Sequence, residues 1–159
     1  MSANVSLGRA WILLCLSLVA HVTDEALTGF LQVYNPTVLA LRERIPWLPL
    51  PVFRFDVWLA GLLAVSGILL GLSWFVYRGA KWMRPPAYLF AALMIVNGLG
   101  HIAGTIAGRT VASVPVPRPM PGFYSSPLLL AASLYLLVRL RAPAPRPATA
   151  VSSGSGEAG

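Results

Sequence analysis

Four long apolar stretches constrain this chain more than any other feature of its sequence. They lie at about residues 11–33, 55–77, 87–107 and 123–140. Each is close to the roughly 20 residues of helix that cross a bilayer core about 30 Å thick. Of all residues, 57% are hydrophobic and only 11% are charged, which excludes an ordinary water-soluble enzyme. The sequence therefore predicts an all-α fold, a four-helix transmembrane bundle formed by residues 1–141.

The segments outside these stretches are rich in proline. Residues 34–54 contain four prolines, a composition that breaks helices and favours the headgroup zone, so we expect them on the membrane surface with a short helix over 36–44. The loop at 114–121 is also Pro-rich. Residues 142–159 lack apolar side chains to bury and are predicted to form a disordered cytoplasmic tail.

The basic residues of the chain flank the apolar stretches. Eleven Arg and one Lys oppose five acids, for a net charge of +7. Their positions favour contact with membrane lipids and exclude nucleic acid as the partner. Seven basic residues fall on the side of the N-terminus and five on the other, which predicts cytoplasmic termini. The excess of Arg is typical of a GC-rich genome, and we expect a multi-pass protein of a bacterial cytoplasmic membrane.

Three ionisable residues interrupt the first apolar stretch. His21, Asp24 and Glu25 lie roughly 15 to 21 Å along a helix that starts near Trp11, which predicts a position near the middle of the bilayer. An isolated ionisable group there costs about 2.5 to 3.5 kcal/mol, so these residues need partners inside the bundle. At 100° per residue, all three share one helical face. Because the three residues share one face, the sequence predicts that they belong to one site.

The third stretch carries the only other histidine of the chain. His101 has Asn97 and Thr105 one turn away on either side of the same helical stripe. If the first and third helices are parallel, the depth of His101 matches that of Asp24 and Glu25. The sequence therefore predicts that the two histidines and one or two carboxylates meet. Stripes of Gly and Ala on the second and third helices predict close helix packing.

These motifs, in this order, resemble the HXXEE family of small integral membrane proteins. The resemblance rests on the run from His21 to Glu25, on His101 and on the loop that contains Pro121 and Gly122, and it covers about residues 12–140. A role as a membrane metallopeptidase has been suggested for that family from its motif residues. Here Asp24 replaces the first Glu, and Pro119 replaces the Tyr of the loop. The resemblance implies that Tyr124 would have to take the place of that Tyr, or that the activity is lost.

Two histidines and a carboxylate, with one position open for water, form a ligand set of catalytic zinc. We therefore predict that His21, Glu25 and His101 bind a divalent transition metal, most plausibly zinc. Asp24 would act as general base or orient a ligand, although the two acids could exchange roles, so both are candidate catalytic residues. The predicted activity is metal-dependent hydrolysis, and the sequence indicates no substrate.

Two alternatives use the same polar cluster without an enzyme. In the first, His21, an acid, Asn97, His101 and Thr105 form a network that only fixes the packing of the helices. In the second, the cluster is a proton or cation relay, since chains of Asp, Glu and His inside membranes mark ion pathways. Four helices are few for a transporter, so the relay would need a homo-oligomer or an unusually small pathway.

Overall fold

A computed structural model of the protein describes residues 3–142, and these residues form helices joined by loops. The predicted tail lies outside the described residues except for Ala142. The prediction of an all-α fold is confirmed for the described part, which contains no strand. The helices are α1 (Ala3–Thr28), α2 (Leu31–Arg44), α3 (Phe55–Tyr77), α4 (Arg84–Ala107) and α5 (Ser126–Arg141), with a single 3-10 turn at Lys81–Met83.

Three segments are long and apolar enough to cross a membrane: Asn4–Thr28, Phe55–Tyr77 and Lys81–Ala107. The fourth predicted span is not confirmed. Its helix, α5, has 16 residues and is therefore about 24 Å long, shorter than a bilayer core of about 30 Å. The predicted span began at residue 123, but residues 121–125 form turns before α5 starts.

The first helix ends earlier than its apolar pattern suggests. Gly29 adopts a left-handed conformation with φ of +80°, and the Phe30 N–H donates to the carbonyl of Glu25, the hydrogen bond of a Schellman cap. The chain then turns into α2, so the apolar run predicted at 11–33 is divided between two helices. The helix predicted over 36–44 starts earlier, at Leu31, and includes Pro36 in its second turn, where proline removes one helical hydrogen bond.

Contacts between helix ends show how the bundle is arranged. The side chain of Arg84, at the start of α4, donates a hydrogen bond of 2.6 Å to the carbonyl of Leu140 near the end of α5. Gly79, just after α3, lies against the side chain of Asn4 at the start of α1. The first and last described residues are therefore at the same end of the bundle. The opposite end holds α2 and the loop 108–125.

The buried core lies where α1 meets α3 and α5, and where α4 meets α5. Its largest fully buried apolar side chains are those of Trp11, Leu14, Leu129, Leu136 and Leu140. The stripe of Ala60, Ala64, Gly67 and Gly71 on α3 is exposed instead, so the predicted close packing of this stripe is wrong within the single chain. Burial of these small residues would require a neighbour from outside the chain.

The bundle predicts which cysteines a membrane-impermeant maleimide reaches in intact cells. Val111 is 87% exposed and Trp47 is 81% exposed, and both lie at the end opposite the first and last described residues. If the termini are cytoplasmic, V111C and W47C should react in intact cells, while A142C should react only after permeabilisation. Cys15 is fully buried and gives little background. Labelling of all three variants from the same side would contradict the bundle.

Candidate metal centre

The predicted ligands meet near the end of the bundle that holds α2. His21 and Glu25 lie one turn apart in the last two turns of α1, and His101 lies in the second half of α4. The predicted depth of these residues near the middle of the bilayer stays a prediction. Because α1 starts at Ala3 rather than near Trp11, His21 is only about 10 Å from the end of its helix.

The three side chains converge on one point. The Nε2 of His21 is 3.5 Å from Oε1 of Glu25, and the Nε2 of His101 is 3.1 Å from the same oxygen. One ligand atom from each residue lies within 4.8 Å of the other two. All three residues are buried, and the two imidazoles are in edge-to-face contact with centroids 4.8 Å apart. This His-Glu-His group could hold a metal ion.

Hydrogen bonds from the start of α5 fix the orientation of His21. Asp24 accepts from both the backbone N–H and the hydroxyl of Ser125, at 2.9 and 2.8 Å. The Ser125 hydroxyl has one proton, so Nδ1 of His21, 2.8 Å away, must donate to its oxygen. His21 therefore carries its proton on Nδ1. Its Nε2 keeps the lone pair that a metal requires, and accepts from the Asn97 amide at 3.0 Å.

His101 is held by packing rather than by hydrogen bonds. Among residues 3–142, neither of its ring nitrogens has an aligned hydrogen-bond partner, although Nε2 is close to Glu25. The ring packs against Phe30, with centroids 5.6 Å apart, and against the backbone of Gly122. A buried Nδ1 without a hydrogen bond is costly, and Nε2 of the same ring faces the Glu25 carboxylate, where a metal ion could bind.

The three donor atoms lie within 4.8 Å of one another, and the two contacts of Glu25 are compatible with zinc. Bonds of about 2.0 to 2.2 Å at tetrahedral angles place two ligand atoms about 3.4 Å apart. The two contacts of Glu25 with the histidines, 3.5 and 3.1 Å, are close to this value. Without a cation, the oxygen of Glu25 and the lone pair of His21 would repel each other. The residues therefore fit a divalent ion, which would displace the Asn97 amide from Nε2 of His21.

The structure distributes the remaining predicted site residues unequally. Asn97 contacts His21, and Gly122 contacts both His101 and Glu25. Thr105 accepts from the N–H of Met120 and donates to the carbonyl of His101, so it joins the loop to α4. Pro121 is buried in that loop. Tyr124 is 69% exposed and packs on Phe123, so the expectation that it replaces the missing Tyr at the reacting centre is wrong.

The sequence did not indicate that Ser125 and Thr28 belong to the site. Ser125 connects Asp24 to His21, and Thr28 accepts a hydrogen bond from the N–H of Gly122. A serine at the start of a helix is the only signal that could have indicated Ser125, because such residues commonly cap helices. That signal does not specify a partner about a hundred residues away.

Two cavities flank the centre on either side of Phe30, which lines both. The larger, about 710 Å³, lies between α2, α4 and the following loop, and His101 and Asn97 line it. The smaller, about 260 Å³, is lined by Glu25 and Trp58. Burial raises the pKa of the Tyr34 phenol on the wall of the larger cavity, so this hydroxyl keeps its proton at neutral pH. The centre therefore borders two cavities, the larger lined by His101 and the smaller by Glu25.

Comparison of the chain with models of known protein families, with curated proteins and with solved structures finds no match. The function must therefore be argued from the geometry of the centre itself.

Proposed function

We propose that this protein is a membrane metalloprotein of the HXXEE type, which binds one zinc ion through His21, Glu25 and His101 and hydrolyses a membrane-embedded substrate. The observation that supports it best is the meeting of three buried donor atoms at a single point, where both histidines face the same oxygen of Glu25. When bound, zinc lowers the pKa of a water ligand to about 7 and polarises a carbonyl group.

The surrounding residues divide the remaining tasks. Glu25 is the acid that contacts both histidines and also lines the smaller cavity, so it can accept a proton from a water molecule there. Asp24 receives two hydrogen bonds from Ser125 and acts through it on His21, which makes Asp24 a positioning residue. Phe30 covers His101 and limits the access of bulk water.

The test of this function is hydrolysis by protein in lipid vesicles, assayed with fluorogenic esters and peptides that carry an apolar chain. We expect turnover that a chelator removes and added zinc restores, and that E25Q abolishes. Asp56 is exposed on α3 and pairs only with Arg54, so D56N is the matched control for removal of a carboxylate. Turnover that survives the chelator, or that E25Q leaves intact, would contradict the proposal.

The role given to Ser125 predicts a different effect. S125A removes the acceptor of the His21 Nδ1 proton and frees Asp24, so zinc affinity should fall by about 10 to 100-fold. Turnover at saturating zinc should fall much less than in E25Q. The measurement is zinc affinity by competition with a chromogenic chelator. S133A, which lies within α5 and removes a hydroxyl bonded to the carbonyl of Leu129, should keep the affinity of the original protein.

The hydrogen-bonded chain from Asp24 through Ser125 and His21 to Asn97 favours a second candidate, a network that only holds α1, α4 and α5 in register. This candidate predicts that the purified protein holds no metal and that S125A lowers the thermal stability alone. The proton relay is separated from both by flux measurements in vesicles, since it predicts proton flux that is lost when His21 or His101 is replaced.

A further inference from the structure

The larger cavity has a mostly apolar wall, with His101 and Asn97 at one polar position and Arg109 and Thr110 at another. Its wall includes Phe30 and Val33 from the α2 side, and Val96, Ala103 and Val111 from the side of α4 and its loop. Along α4 it extends from Val96 to Ala107, about 16 Å at helical rise. The volume of about 710 Å³ is within the range of pockets that bind small molecules. Such a shape suits a ligand with an extended hydrocarbon part.

The cavity opens sideways, towards the surroundings of the bundle. Gly100 on its wall is exposed, and a Cβ added there would meet no atom within 4 Å. Val96, at one end of the wall, is 69% exposed. Because α4 is one of the three candidate spans, this opening faces lipid rather than water. A hydrocarbon chain can therefore enter directly from the bilayer.

A free cation marks the other end of the cavity. Arg109 lines it in the loop two residues after α4 ends at Ala107, and His101 lies about 9 Å before that end along the helix axis. Within residues 3–142, its guanidinium makes no ion pair or hydrogen bond. Guanidinium groups bind phosphate through paired N–H donors. Thr110 next to it also lines the cavity and adds a hydroxyl.

We propose that this cavity binds a lipid with a linear acyl chain and a phosphate headgroup. The chain lies along the apolar wall towards Val96, the phosphate lies at Arg109, and the acyl linkage between them passes His101 and Asn97. That this lipid is the substrate rests on the function proposed above, whereas its binding does not. Hydrolysis would add hydroxide to the acyl carbon and a proton to the leaving oxygen, releasing a fatty acid and an alcohol, with water as the only co-reactant.

Native mass spectrometry of the purified full chain can test the binding, with three probes added in turn. They are dipalmitoyl phosphatidylglycerol, the diacylglycerol with the same chains, and glycerol 3-phosphate. We expect the phospholipid to be retained at least about tenfold better than either of the others, since it alone has both parts. Equal retention of diacylglycerol would overturn the role of Arg109. Equal retention of glycerol 3-phosphate would show a free-phosphate site and overturn the role of the cavity.

Variants separate the cavity from the rest of the lipid-facing surface. G100F places a ring in the open space of the cavity and should lower phospholipid retention at least about tenfold. G67F is the matched control, because Gly67 on α3 is equally exposed and equally unobstructed but lies outside the cavity. A103F is a second obstruction, used if G100F melts at a lower temperature than G67F. Retention by both cavity variants at the level of G67F would overturn the proposal.

The headgroup position has its own pair of variants. R109Q should reduce the preference for phospholipid over diacylglycerol at least about fivefold, and R54Q should not, because Arg54 pairs with Asp56 outside the cavity. Zinc is measured on the same samples. Bound phospholipid without zinc would reject the hydrolase and keep the cavity assignment. If zinc is bound but G100F, A103F and R109Q leave phospholipid retention unchanged, the lipid proposal is rejected and the metal centre is kept.

Discussion

G122A should lower the zinc affinity at least about tenfold and reduce the thermal stability. Gly122 has φ of +83°, and a side chain there would bring its Cβ to 2.8 Å from Cε1 and 2.9 Å from Nδ1 of His101. The same Cβ would lie 3.1 Å from Cγ of Glu25. Two of the three proposed ligands, His101 and Glu25, would have to move, because these approaches are closer than a Cβ normally makes.

G29A provides the control for this prediction. Gly29 has a nearly equal φ of +80°, so alanine there meets the same backbone strain, of about 1 to 2 kcal/mol. Its Cβ would contact only the exposed side chain of Gln32, at 3.3 Å, which can turn away. The difference between the two variants in zinc affinity therefore isolates the crowding of the centre. Equal affinities in G122A and G29A would show that Gly122 does not support a metal site.

The double variant H21A/H101A should lose the metal altogether. We expect about one zinc per chain in the original protein and less than about a tenth of that in the variant, because a single remaining carboxylate cannot hold the ion. The measurement is elemental analysis by mass spectrometry after purification without chelators. Equal metal in the variant would place the ion elsewhere and leave the structural network as the role of the cluster.

A control is needed because the double variant also removes packed side chains. T23A alters an exposed hydroxyl of α1 that donates only to the carbonyl of Val19. It should keep both the metal and the melting temperature. Zinc should also raise the melting temperature of the original protein and of T23A but not of the double variant, since a ligand stabilises only a state that binds it.

The sequence predicted the core of the centre because the physics that places those residues is local. The spacing of His21 and Glu25 sets them on one face of α1, and the cost of burying ionisable groups requires polar partners, of which the sequence indicated His101 and Asn97. Three of the four spans were recognised for the same reason, since length and apolar content suffice.

The features of the fold and the site that the sequence did not predict depend on a loop, distant in sequence, that folds back onto the bundle. Ser125 reaches Asp24 and His21 only because residues 109–125 fold back over the ends of α1 and α4. The end of α1 was placed wrongly because Gly29 sits inside a continuous apolar run, and its left-handed conformation leaves no mark on hydropathy. The larger cavity likewise arises from α2, which that break creates.

X-ray absorption at the zinc edge, on the zinc-loaded original protein, tests the central claim most directly. We expect a first shell of nitrogen and oxygen at about 2.0 to 2.2 Å from zinc, with the outer-shell pattern of two imidazoles. The double variant H21A/H101A should give almost no zinc absorption edge, since it should hold almost no zinc. A shell containing sulfur, or a spectrum with no imidazole contribution in the original protein, would contradict a centre built from His21, Glu25 and His101.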